Sequence, residues 1–98
     1  MKYIALKLIT GEEVIATVIT SDATTFTLTD CRVLVADHKG ELRLEHPILF
    51  TAEPNKDLVV QKTSVSIWTP DVRNELLDSY KTAISGIITP PSNRILLG

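Results

Sequence analysis

Apolar and polar residues alternate from Lys7 to Cys31 (KLITGEEVIATVITSDATTFTLTDC), broken at two short turns. Leu6 and Leu8 share one side of a first strand, Tyr3 to Ile9, and Thr10-Gly11-Glu12 reverses the chain. Val14, Ala16 and Val18 then alternate with Ile15, Thr17 and Ile19. After Ser21-Asp22-Ala23 the apolar side resumes at Phe26 and Leu28. Side chains alternate across a strand with period two, so these positions can line one buried face. Val, Ile, Thr and Phe suit such a pleated, half-buried surface. The pattern predicts an antiparallel meander.

The third strand is expected to be long, Thr24 to about Ala36, and its phase changes midway. Phe26 and Leu28 lie on one parity, Cys31, Val33 and Val35 on the other. Either a bulge near Asp30 shifts the register, since one extra residue exchanges the faces, or the strand bends and both faces are buried. Both versions imply the strong curvature that a small barrel needs to close. Asp37-His38-Lys39-Gly40 reads as a turn, with Gly supplying a positive φ. Leu42 and Leu44 point inward from a strand over Glu41–Glu45 that pairs back onto the third, and Pro47 ends it or confines it to an edge. Ile48-Leu49-Phe50 is an apolar step that could cap a barrel mouth. A polar loop, Thr51 to Asp57, follows, with a turn at Pro54-Asn55. Leu58–Gln61 and Val65–Thr69 are short strands around Lys62-Thr63-Ser64.

Thr69 can cap a helix that has Pro70 in its first turn and Asp71 and Glu75 at its positive end. Val72, Leu76, Tyr80 and Ile84 recur every four residues, Leu77 widens the stripe, and Gly86 stops it. The polar face lacks the basic residues of a membrane-surface helix, so the stripe reads as core or interface. Beyond Pro90-Pro91 the tail holds Ile95-Leu96-Leu97, which must pack as an added strand or dock on a neighbour. The chain thus reads as one mostly β domain over 1–98, with strands to residue 69, a C-terminal helix over 70–86 and an apolar tail over 87–98.

The opening meander resembles the first signature of the Sm-like (LSm) proteins, its marine phage-type variants in particular. The matching residues are Leu6, Leu8, Gly11, Val14, Val18, Asp22, Leu28 and Asp30. Leu58–Thr69 (LVVQKTSVSIWT) is similar in spacing to the second signature. Three departures stand out. Ala16 replaces a second Gly, the loop after Asp22 is a residue short and carries Thr24-Thr25 for Met-Asn, and Gln61-Lys62 replaces Arg-Gly. The resemblance implies a small five-stranded, strongly bent Sm-like (SH3-type) barrel, here with a C-terminal helix and no N-terminal one. It also implies edge-to-edge assembly into a cyclic homo-oligomer. Two loops would line its central hole and bind single-stranded RNA, in RNA processing or chaperoning. Carried over, the nucleic-acid-binding residues are Asp22, Thr24 and Thr25, with Ala23 between them, and Gln61, Lys62 and Thr63.

Composition narrows the field. The 44% hydrophobic share excludes a disordered chain, and 98 residues give one domain with a modest core that oligomerisation would extend. A net charge of −2 gives no global basic field, so nucleic-acid binding needs a local patch or a ring that concentrates one face. The lone Cys31 excludes an internal disulfide and suits a reducing compartment; it reads as a small buried hydrophobe. No apolar run approaches the roughly 20 residues of a membrane span. MKYIALKLITGEE lacks a signal-peptide pattern, so a cytoplasmic location is expected.

Candidate chemistry is sparse. Glu12 and Glu13 are an adjacent carboxylate pair that could do acid–base work only if burial or mutual repulsion raised one pKa, but a hairpin turn leaves both solvated. His38 and His46 stand on opposite arms of one hairpin without further metal ligands at suitable spacing. Trp68, the sole Trp, reads as core or subunit interface, with base stacking as the alternative. With no catalytic constellation and no cofactor motif, the chain is expected not to be an enzyme. A ring-forming RNA binder is the leading expectation. The alternative is a homo-oligomeric β-barrel scaffold, or protein-interaction module, without nucleic acid; neither uses a membrane or a metal.

Overall fold

The computed structural model describes residues 2–45, 56–85 and, for the backbone, 94–95. Seven antiparallel strands and one helix make up the described chain: β1 (Lys2–Leu8), β2 (Glu13–Ser21), β3 (Thr25–Ala36), β4 (Leu42–Glu45), β5 (Leu58–Gln61), β6 (Val65–Thr69), α1 (Asn74–Ser85) and β7 (Arg94–Ile95). Six strands are hydrogen-bonded in the order β6-β1-β2-β3-β4-β7, and β5 pairs with β3. The fold is mostly β with a C-terminal helix, as the alternation predicts.

The sheet is not closed, however, and it has more than the five strands expected. The reason lies in how β3 is shared. Its first half, Thr25–Leu28, pairs with β5, while its second half, Val33–Ala36, pairs with β4. The β4 edge is then taken by the tail strand β7, through Leu42 opposite Ile95. A three-residue 3-10 turn, Lys62–Ser64, carries the chain from β5 on one side of the sheet to β6 on β1 at the other.

The phase change in β3 is a bulge. Ile15 faces Arg32 and Thr17 faces Thr29, so Ala16 of β2 stands opposite two residues, Asp30 and Cys31. Asp30 is the bulged residue, with φ +53°, a left-handed conformation that Asp tolerates better than most side chains. The extra residue returns Cys31 and Val33 to the face already used by Phe26 and Leu28. Two more bulges increase the bend. One lies in β2 at Ile19, which is left exposed; the other in β6 at Ser66, whose hydroxyl donates to the Lys7 carbonyl over 3.1 Å. The first hairpin turns on Gly11 at φ +106°, where any other residue would be strained.

Both faces of the sheet are covered. The inner face buries Ile4, Leu6, Val14, Ala16, Phe26, Leu28, Cys31 and Val65, with Leu58 and Val60 of β5 packed against them. The opposite face buries Ile15 and Leu44 under α1 and its anchor Tyr80. This is why four consecutive β2 residues, Val14 to Thr17, are all buried. The stripe Val72, Leu76, Leu77, Tyr80 and Ile84 packs there as its spacing predicts.

The helix itself starts at Asn74, not at residue 70. Thr69 is held in the ladder opposite Ala5, and a residue preceding Pro favours extended backbone. Its hydroxyl caps a local turn instead, accepting the Asp71 N–H at 3.1 Å. The expected cap on the barrel mouth, Ile48-Leu49-Phe50, lies outside the described residues, as do His46, Pro47, the turn at Pro54-Asn55, Gly86 and the helix stop. The tail supplies an added strand at Arg94–Ile95, one of the two fates anticipated for it.

Candidate nucleic-acid interface

Two turns far apart in sequence are fused at one end of the sheet. Thr25 opens β3 opposite Gln61, which closes β5, so pairing of the two strands brings their end turns together. The Lys62 N–H donates to the Thr24 carbonyl at 2.8 Å, and the Lys62 ammonium donates to the Asp22 carbonyl. Of the residues anticipated for a binding surface, Asp22, Thr24, Thr25, Gln61 and Lys62 therefore stand together. Thr63 is exposed on the adjoining 3-10 turn.

Asp22 organises its turn. Oδ1 accepts the N–H groups of Thr24 and Thr25, both at 2.8 Å, and the Thr24 hydroxyl at 3.3 Å; Oδ2 accepts the Thr25 hydroxyl at 3.1 Å. These donors, the Thr24 N–H foremost, hold the carboxyl below its ordinary acidity range. Both threonine hydroxyls spend their protons on Asp22 and retain only acceptor lone pairs for a ligand. They would recognise an N–H donor on a base edge, whereas the exposed Gln61 amide offers both a donor and an acceptor.

An aromatic pair adjoins the turns. The rings of Phe26 and Trp68 meet edge to face, centroids 5.2 Å apart. The Lys62 ammonium lies 4.7 Å from the Phe26 centroid and 5.7 Å from that of Trp68, within range of a cation–π attraction. Phe26 is buried, but Trp68 is 46% exposed, so the indole is neither core nor free surface. This placement depends on the bulge at Ser66. Trp68 is out of phase with Val65, which implies opposite faces, yet the bulge sets Trp68 opposite Leu6 on the inner side.

Glu12 and Glu13 are exposed, and a hydrogen bond from the Thr10 side chain lowers the pKa of Glu12. Burial pushes the Cys31 thiol up to about 11, with Arg32 opposing that shift, so Cys31 is an inert core residue at neutral pH. Among the described residues no group of three His, Cys, Asp or Glu could hold a metal, and no helix is long and apolar enough to cross a membrane. No known protein family and no curated protein matches the chain.

Proposed function

We propose that this chain is a divergent Sm-like module that assembles into a cyclic homo-oligomer and binds single-stranded RNA through the Asp22–Thr25 and Gln61–Thr63 turns. The observation that carries this reading is the Lys62–Thr24 backbone bond, which makes one polar surface of two separate turns. The strand arrangement supports it. Among the described strands β5 and β6 each pair on one side only, and unpaired edges favour joining to another copy. The inner core shared by β1, β2, β3, β5 and β6 is the set of strands that a small barrel would enclose. Repeated around a ring, one Lys62 per copy concentrates positive charge that a chain of net charge −2 otherwise lacks.

The test is binding of a short oligouridine across a salt series. Phosphate contact gives affinity that falls as salt rises, and Lys62→Glu is expected to abolish it. Equal affinity of native and variant protein would remove Lys62 from the interface. One observation favours a second reading, a homo-oligomeric scaffold without nucleic acid: the Lys62 ammonium is already engaged by the Asp22 carbonyl and two rings. An assembly that binds no oligonucleotide even at low salt would support that scaffold.

A further inference from the structure

We infer that Trp68 is a stacking platform for one base of the bound strand, with Lys62 meeting that nucleotide's phosphate; this rests on the RNA-binding reading above. The sequence resemblance assigns no role to this position; the indole's surroundings do. Among the described residues Trp68 is the one aromatic of this end that reaches solvent, being 46% exposed where its partner Phe26 is 3% exposed. The edge-to-face contact with Phe26 and the inward register opposite Leu6 fix the ring's orientation. A rigid, half-exposed ring loses little freedom on binding, and every base has a face to stack on it. The ammonium 5.7 Å from the ring centre is near enough for a single nucleotide to reach both groups. Lys62 also joins the indole to the Asp22 turn, whose Thr24 and Thr25 hydroxyls, with the Gln61 amide, supply the hydrogen bonding that discriminates between bases.

The chain has a single Trp, so its emission reports this site alone. Oligouridine carrying a terminal dye is titrated with full-length protein at low salt, reading dye anisotropy for binding and indole emission for stacking. Both signals are expected to saturate together, with emission quenched. Trp68→Ala should weaken affinity about tenfold and Trp68→Phe less, with the salt slope unchanged because no phosphate contact is lost. Anisotropy that rises without quenching, or native affinity in Trp68→Ala, overturns the stacking role and leaves RNA binding standing. No anisotropy change at low salt overturns both readings. Emission that responds to protein dilution but not to the oligonucleotide places the indole between copies and likewise overturns the proposal. Quenching of the native protein is read without any variant, so the test survives a substitution that fails to fold.

Discussion

The Tyr80 hydroxyl on α1 lies 2.9 Å from the Thr17 hydroxyl on β2, with Tyr80 fully buried and Thr17 5% exposed. This bond joins the helix to the sheet at the centre of the outer core, where Tyr3 also meets the Tyr80 ring edge to face at 5.9 Å. Burial pushes the Tyr80 phenol up to about 12 while the bond to Thr17 opposes that shift, so the hydroxyl stays protonated throughout the neutral range. Tyr80→Phe strands the Thr17 hydroxyl, and Thr17→Val strands that of Tyr80. Each is expected to cost about 1–2 kcal/mol, because a buried unpaired hydroxyl keeps its desolvation penalty. The double variant removes both polar groups and should lose less than the two single losses combined, with a coupling of about 1 kcal/mol. Urea unfolding of the four proteins measures the cycle; simple additivity would mean that the two hydroxyls do not interact in solution.

The bulge at Asp30 brings both halves of β3 onto the inner face. At φ +53° a β-branched residue is strongly disfavoured, whereas Gly is at ease. Asp30→Val should therefore destabilise by about 2 kcal/mol, and Asp30→Gly should stay within about 1 kcal/mol of the native protein. Equal urea midpoints for the two variants would show that the left-handed bulge does not form.

Much of this architecture is legible in the sequence. Gly11 and Gly40 mark the hairpins, Leu58–Gln61 and Val65–Thr69 are strands with the expected limits, and the parity break at Asp30 announces a bulge or a bend. What period-two reasoning could not reach is long-range. The residue facing an element across the sheet depends on how bulges add up, and Ser66 alone moves Trp68 to the other face. The division of β3 between β4 and β5 is equally hidden, since pairing partners follow from tertiary competition and not from local pattern. The helix start failed for a local reason: Thr69 and Pro70 look like a cap and first turn, but strand pairing claims Thr69 first. At the candidate site the turn residues were readable individually. Their fusion through the Lys62–Thr24 bond was not.

The Asp22 turn predicts an acid-side loss of stability. Its native pKa lies below the ordinary 3.8, held there first by the Thr24 and Thr25 N–H groups. The folded state thus binds fewer protons than the unfolded one in the acid range. The stabilisation is complete above the ordinary value and is lost as pH falls through the native one. Asn at this position can accept an N–H but has one acceptor oxygen and no charge. Native protein should exceed Asp22→Asn in urea midpoint by a constant margin from neutral pH to about 5, and the margin should close below about pH 4. A margin independent of pH would exclude a role for the carboxylate charge.

Two of the strand edges, those of β5 and β6, carry matching apolar residues, and this makes the proposed assembly testable. Val59 on β5 is 65% exposed and Ile67 on β6 is 64% exposed. Both point away from the inner core, since Leu58 and Val60 pack into it and Ile67 stands opposite Lys7. In a head-to-tail join, β5 of one copy adds to β6 of the next, and identical joins can close a ring. Val59→Glu and Ile67→Glu each spoil one of the two edges. Light scattering should then find each variant at the 10.8 kDa of a single chain, while the native protein is larger. The exposed substitutions themselves cost only about 0.5 kcal/mol, so each variant should keep one cooperative unfolding transition, at a midpoint lowered by what the joins contribute. Mixing the variants gives the decisive reading. The intact β6 of Val59→Glu can pair with the intact β5 of Ile67→Glu, and no further join is possible, so the mixture should stop at dimers. If like edges paired instead, β6 with β6, Val59→Glu would assemble as the native protein does and the head-to-tail ring would be ruled out.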